Sequence, residues 1–379
     1  MTEQVIMQVL PELDMGGVER GTIEMATALK KAGIENIVVS AGGKLTAQLA
    51  RLKVPHITLP VQTKNPFKIL VNAYRLAKVV RQYHVGLMHV RSRAPAYSVA
   101  LASRLTGVPF IATFHGVYGH QGALKRWYNS IMTKGKLIIT VSDYVRQHVM
   151  KTYHVPESKI RLIHRGADTD YFDANTVKVY QIENFIKQYG IDLNGPIVTL
   201  VGRLTRWKGQ LVLLKALQQL DGPLTCLLVG SAQGREKYVN ELKEEMKKLP
   251  ETIQVYMITD SPDMPLVYAL SNVVVNASLD PEAFGRVIPE AQSMGCLVIG
   301  TAHGGAAETI ADGETGFLVP PGDAKALANK IKEVLALPKK EKEAIQTAAM
   351  RSVRDNFSTE KMCAKTLAVY QEVLHDNKA

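Results

Sequence analysis

At 379 residues the chain is long enough for two domains of ordinary size, each with its own core. Hydrophobic residues make up 46% and charged residues 21%, which excludes a disordered chain, and no run of 18 apolar residues is present to cross a bilayer. A net charge of +11 points to an anionic partner, whether nucleic acid, a charged substrate or a membrane surface.

Polar Thr2-Glu3-Gln4 passes directly into a strand pattern, so no secretory signal is expected and the protein reads as cytoplasmic. Short β-branched runs at 5–10, 37–40, 56–59, 86–90, 110–114 and 137–141 alternate with helical stretches at 18–32, 66–83, 96–105 and 124–132. A second series of strands follows at 197–201, 225–229, 253–257, 273–276 and 297–299, again separated by helices. This rhythm predicts parallel βα units and an α/β fold of two doubly wound, Rossmann-like lobes with a cleft between them. The lobes are expected at 1–170 and 196–356, joined by a linker over 171–195 where the strand rhythm lapses. A C-terminal helix at 357–379 has no strand partner and is a candidate to pack back on the first lobe. Cys226, Cys296 and Cys363 are odd in number and widely spaced in apolar surroundings, which reads as buried reduced thiols rather than a metal or disulfide framework.

Several loops at predicted strand ends suit a ligand, because bound groups sit beyond the carboxyl ends of strands in such sheets. Gly16 and Gly17 separate the first strand from its helix, but the spacing is not G-x-G-x-x-G, so a dinucleotide cofactor gains little support. Gly202 to Gly209 closes the first strand of the second lobe and carries Arg203 and Lys208, two cations that would clamp a diphosphate. Gly230-Ser231 and Gly304-Gly305 add turns that bare the backbone. Glu282-Ala283-Phe284-Gly285-Arg286 follows an apolar strand, with Glu290 eight residues after Glu282. Phe284-Gly285 is expected to open a helix whose free N–H groups favour a phosphate, with Glu282 at its mouth and Glu290 on its second turn. His115, at the end of a first-lobe strand, could donate to a bound sugar or be structural. Asp168-Thr169-Asp170 has the form of a divalent-metal site but lies away from the strand ends, and reads as a turn; no metal is expected. Arg91 and Arg93 follow a strand and could bind an anionic acceptor or be ordinary surface arginines. Lys68, Arg75, Lys78 and Arg81 stud one helix, and Lys125, Arg126, Lys134 and Lys136 flank Trp127-Tyr128. Both patterns suit an anionic membrane surface or a solvated face.

Together these motifs resemble the retaining glycosyltransferases of family 4, the group-1 class with the two-lobed GT-B fold. The likeness runs from Gly16-Gly17-Val18-Glu19-Arg20 to Gly304-Gly305-Ala306-Ala307-Glu308, and its most specific part is Glu282 to Glu290 combined with Arg203 and Lys208. It implies that Arg203 and Lys208 grip the donor diphosphate and that Glu290 binds ribose hydroxyls. Glu282, with the backbone of Ala283, Phe284 and Gly285, would contact the donor sugar, Arg286 and Gly230 would lie in the same donor site, and His115 beside that sugar. Gly16 and Gly17 match a loop near donor phosphate and acceptor, which makes the first lobe acceptor-binding and the second nucleotide-sugar-binding. Within the family, Arg91-Ser92-Arg93-Ala94-Pro95 and Phe114-His115-Gly116-Val117-Tyr118 resemble enzymes of lipopolysaccharide core assembly. Arg165-Gly166 departs from the family's Asn-Gly before the linker aspartate.

The resemblance therefore implies a metal-independent retaining hexosyltransferase, with a UDP- or GDP-sugar as co-substrate and no cofactor. The acceptor would be a glycan or glycolipid hydroxyl in lipopolysaccharide or cell-envelope synthesis, reached from the cytoplasm or from the inner face of the membrane. A GT-B-fold sugar-nucleotide epimerase and a non-catalytic sugar-nucleotide-binding protein are the rival expectations. A nucleic-acid binder rests on charge alone and lacks a recognised module, so no nucleic-acid partner is expected.

Overall fold

The structure, a computed structural model, describes residues 5–376 apart from Met15, His120, Gln121 and Ser261. It divides into two compact units, Met1–His164 with Glu360–Ala379, and Arg165–Thr359.

The first unit is built on a seven-stranded parallel sheet. Its strands are β1 (Val5–Val9), β2 (Asn36–Ser40), β3 (His56–Thr58), β4 (Val85–Val90), β5 (Phe110–Phe114), β6 (Ile138–Thr140) and β7 (Ile160–Leu162). They lie in the order 3-2-1-4-5-6-7. Central strands such as β2 and β5 are buried at every position, which explains their unbroken apolar runs: helices cover both faces of a parallel sheet. Helix starts are chemically marked, since Asn65 caps Pro66–Gln82 with proline in its first turn, and Ser142 caps Asp143–Tyr153.

The C-terminal helix Thr359–Asp376 belongs to this unit. Cys363, Val369, Tyr370 and Val373 pack with Ile6, Met25, Leu87 and Ile111 in one core cluster. Tyr370 Oη lies 2.6 Å from His89 Nδ1, and His89 Nε2 lies 2.7 Å from Thr113 Oγ1. Burial, with the Arg91 charge adding to it, pushes the His89 imidazole well below its ordinary value, so it is neutral.

The second unit repeats the plan with six parallel strands: β8 (Ile197–Val201), β9 (Leu224–Val229), β10 (Ile253–Ile258), β11 (Val273–Asn276), β12 (Leu297–Thr301) and β13 (Phe317–Val319). Their order is 10-9-8-11-12-13. The expected linker at 171–195 is not one. It holds an amphipathic helix, Val179–Tyr189, whose Phe185, Ile186 and Tyr189 pack against Ile197, Leu227 and Val229 of this unit. The break between units falls at His164/Arg165 rather than after residue 170. Edge strands β7 and β13 have three residues each, too short to show a period in the sequence. All three cysteines are free and buried.

Candidate functional site

In each sheet the chain order reverses beside its first strand, between β1 and β4 and between β8 and β11. Loops leaving the carboxyl ends of such a strand pair flank the crevice where open α/β sheets bind ligands. In the second unit those two loops are Gly202–Gly209 and Ala277–Arg286. They carry Arg203, Lys208 and Glu282.

The first of these loops turns through a short 3-10 segment, Arg206–Lys208, into helix Gln210–Leu217. Buried Gln210 pins it, donating from Nε2 to the Arg203 carbonyl (2.9 Å) and accepting from Tyr238 Oη (3.1 Å). The Lys208 stem runs across Gly202, where a Cβ would stand 3.2 Å from Lys208 Cδ. Its ammonium lies 4.5 Å from the Trp207 ring centre and donates to Glu282 Oε1 at 2.7 Å. The Lys208 and Glu282 side chains are 11% and 10% exposed. The sequence predicts Lys208 as a clamp cation or an ordinary surface cation; the structure places it in a shielded ion pair rather than on an open surface. Arg203, by contrast, is exposed and has no side-chain partner among the described residues. Gly230, at the end of β9, lies so close to this loop that a Cβ would stand 2.2 Å from the Gly202 carbonyl oxygen.

The second loop is organised around Glu282. Its Oε1 also accepts from Asn276 Nδ2 (2.9 Å) and from Ser278 Oγ. Burial alone would push this carboxyl up. The Lys208 charge and the donors from Lys208, Ser278 and Asn276 outweigh burial and hold it below its ordinary value. The Glu282 carbonyl accepts from Gly305 N (2.8 Å), which docks the turn Gly304–Ala307 against the loop. Gly285 has φ +78°, and a Cβ there would meet the Ala306 Cβ at 2.8 Å, so both its backbone angle and the neighbouring turn call for glycine.

The helix expected to open at Phe284-Gly285 begins two residues later, at Val287, and runs to Ser293. Phe284 is 3% exposed and its ring packs 6.2 Å from that of Phe357, so it anchors the loop. Glu290 falls in the first turn instead of the second, where it pairs with Arg286 (Nε to Oε1, 3.3 Å) and accepts from Tyr268 Oη (3.2 Å). Burial, and then the Glu290 charge, push the Tyr268 phenol well up, so it stays protonated and donates.

Four residues of this site escaped the sequence reading: Asn276, Ser278, Thr301 and His303. Thr301 Oγ1 donates to the Ser278 carbonyl (3.1 Å), and His303 Nε2 lies 2.9 Å from the same oxygen. A signal was available for two of them, since Asn276 and Ser278 end an apolar strand with alternate polar side chains.

In the first unit, Gly16 is the N-cap of helix Gly17–Lys31, and the Glu19 carboxylate folds back to within 2.3 Å of where a Gly16 Cβ would stand. Of the two alternatives for Arg91, the ordinary surface arginine is overturned: it is 5% exposed and donates from Nε to Gln8 Oε1 at 2.9 Å. Arg93 is half-buried, donates to Asn129 Oδ1 (2.8 Å) and stacks 4.0 Å from the Tyr118 ring centre. His115 follows β5 directly and is half-buried. Asp168 Oδ1 accepts from the backbone N–H of Asp170 and Tyr171, both at 3.2 Å, a turn of the second unit. Among the described residues no group of three or more His, Cys, Asp or Glu is placed to hold a metal ion. One surface depression, about 710 Å³ along one face of helix Lys339–Asn356, contains none of the candidate residues.

Known proteins resemble the chain over both units. The pattern "Glycosyl transferases group 1" matches residues 181–351, and "Glycosyltransferase Family 4" matches 15–171. A glycosyltransferase of Rickettsia africae is 42% identical, with a TM-score of 0.91 over 99% of both chains. Anabaena Alr3699/HepE, solved with UDP-glucose, is 24% identical, with a TM-score of 0.82 over 96% of this chain and 99% of that one. The D-inositol 3-phosphate glycosyltransferase of Corynebacterium urealyticum is 30% identical over 54% of this chain, which spans only 50% of that protein's length.

Proposed function

Starting from the chain's membership of the group 1 glycosyltransferases, we propose that it moves a hexose from a UDP- or GDP-sugar to a hydroxyl of a glycan or glycolipid, with retention at the anomeric carbon. The reaction would serve lipopolysaccharide or other cell-envelope polysaccharide synthesis in the cytoplasm. The observation that carries this reading is the cluster at the switch point of the second sheet: the exposed Arg203 guanidinium and the Lys208–Glu282 pair, beside the closely packed turns at Gly285 and Gly304. The UDP-glucose bound by the Anabaena protein of the same fold supports a donor of this class.

On this reading the bond between the anomeric carbon and the phosphate oxygen breaks while the new bond forms from the acceptor oxygen on the same face. The acceptor proton passes to the departing phosphate oxygen. Negative charge grows on the diphosphate as the sugar gains oxocarbenium character. Arg203 and Lys208 would stabilise that charge from fixed positions, so no solvent reorganisation is needed as the bond breaks. Glu282 would accept from sugar hydroxyls and Glu290 from the ribose. In this scheme Arg203 and Lys208 would take the part that a metal ion plays at a diphosphate.

The test is turnover of a panel of UDP- and GDP-sugars with a glycan acceptor. Arg203→Ala, at an exposed position, leaves folding intact and should lower turnover about 10²–10³-fold, as should Lys208→Ala. Near-normal turnover in both variants removes the clamp. EDTA should leave turnover unchanged; loss restored by Mg²⁺ would instead assign Asp168 and Asp170 to a metal. Conversion of a nucleotide sugar without acceptor would mark an epimerase.

A further inference from the structure

Helix Pro66–Gln82 of the first unit is apolar on two opposite sides. Its inner face, with Leu76, Val79 and Val80, is buried against the unit. On the outer side Phe67, Leu70, Val71 and Tyr74 recur at i, i+3, i+4 and i+7 and stand 79%, 57%, 49% and 57% exposed. This spacing places them in one stripe about 100° wide. Lys78 and Arg81 extend the stripe, Lys68 and Arg75 flank it, and all four are exposed. The Lys78 ammonium lies 5.1 Å from the Tyr74 ring centre.

A second exposed apolar pair adjoins this stripe. Ser98 Oγ on helix Arg93–Thr106 donates to the Ile69 carbonyl (3.2 Å), and the ring of neighbouring Tyr97 stands 6.4 Å from that of Trp127. Trp127 is 65% exposed and Leu124 79%, with Lys125 and Arg126 between them on helix Ala123–Asn129. Isolated exposed apolar residues need no explanation, but an ordered stripe with aromatic rings does.

Charge decides between occupants. From Asn36 to Ser142 the chain has 15 lysines and arginines and not one aspartate or glutamate, more positive charge than the net +11 of the whole chain. A second copy meeting this face through the same face, in a two-fold dimer, would bring like charge to it. Nucleic acid would leave the protruding aliphatic side chains in water. An anionic bilayer satisfies both, taking apolar side chains below the headgroups and basic ones at the phosphates.

We propose that the outer face of helix Pro66–Gln82, with Leu124 and Trp127, docks the protein on an anionic lipid bilayer. No helix among the described residues is long and apolar enough to cross one, so the contact is interfacial. Docking depends on this surface alone and not on the sugar-transfer reading.

The experiment is co-sedimentation of the full chain with phosphatidylcholine vesicles containing or lacking 30% phosphatidylglycerol. Trp127 emission is followed in a Trp207→Phe background, since the chain has only two tryptophans. Binding with a blue shift is expected on the anionic vesicles only. K68Q/R75Q/K78Q should weaken it on the order of 100-fold, at about fivefold per basic residue. F67S/L70S/Y74S, at exposed positions with circular dichroism unchanged, should weaken it at least about tenfold. Equal binding to neutral vesicles, anionic binding that survives the serine variant, or no vesicle binding at all would overturn the proposal. Retention of a short RNA duplex in place of vesicles, or a dimer that the serine variant dissociates, would equally overturn it.

Discussion

Glu282→Gln keeps the shape of the side chain and one acceptor oxygen but removes the charge opposite Lys208. Both members of the pair are about one-tenth exposed, so the stranded ammonium cannot regain full hydration. Removing one partner of a buried pair costs about 3–5 kcal/mol, and residual exposure places this case near 3. For a unit of this size that is about 6–12 °C in Tm, at 2–4 °C per kcal/mol. Lys208→Met strands the carboxylate instead, but Asn276 and Ser278 still donate to it, so about 2 kcal/mol is expected. The double variant strands neither charge, and should lose far less than the sum, with a coupling of about 3 kcal/mol. The assay is urea unfolding in a Trp127→Phe background, which leaves Trp207 to report on the second unit. Glu282 is held below its ordinary value of 4.5, so its share of stability is complete above that pH. That share disappears as the pH falls through the lower folded value, and Glu282→Gln should lack this acid limb. Additive losses, or a Glu282→Gln loss under about 1 kcal/mol, would show a solvent-screened pair and refute the reasoning.

Two further outcomes follow from other parts of the structure. His89 is neutral in the folded first unit and has an ordinary value of 6.5 when unfolded, so the unfolded chain alone takes up a proton below that pH. Stability should fall by about 1 kcal/mol between pH 7 and pH 5.5, and a His89→Gln variant should lose that slope in denaturant titrations monitored by Trp127. Gly209 has φ +75°, and a Cβ there would stand 1.9 Å from the Ala277 carbonyl oxygen, which cannot swing aside. Gly209→Ala should therefore cost at least about 3 kcal/mol. Gly190→Ala, with φ +61° and nothing within 4 Å, should cost only the left-handed penalty of about 1 kcal/mol, and equal losses would contradict the packing argument.

The sheets were legible because parallel strands buried on both faces must be uninterrupted apolar runs, and β5, β8 and β11 stand where those runs predict them. What escaped was set by tertiary partners. Helix Val179–Tyr189 looks like a linker because only one narrow stripe of it is apolar, and its meaning depends on Ile197 and Leu227 lying beneath it. Arg91 reads as a surface cation by composition, yet Gln8, 83 residues away, gives it a buried acceptor that no local pattern announces. The candidate site divides the same way. Local spacing located Glu282, Gly285 and Glu290, while the partnership of Lys208 with Glu282 spans 74 residues and needs the reversal between β8 and β11 to exist.

That partnership changes what the site can do under the proposed reaction. A free ammonium at Lys208 would attract any anion equally well before and during bond breaking, which tightens binding without speeding the chemical step. An ammonium already bonded to Glu282 is largely neutralised toward a resting diphosphate, so initial attraction would rest on the exposed Arg203. As the leaving diphosphate gains charge it competes better with Glu282 for the same ammonium, and the bond to Lys208 strengthens as the barrier is climbed. Lys208→Ala should then act mainly on kcat and Arg203→Ala on KM as well. Identical effects of the two variants on both constants would mean that the pair gives way as soon as the donor binds.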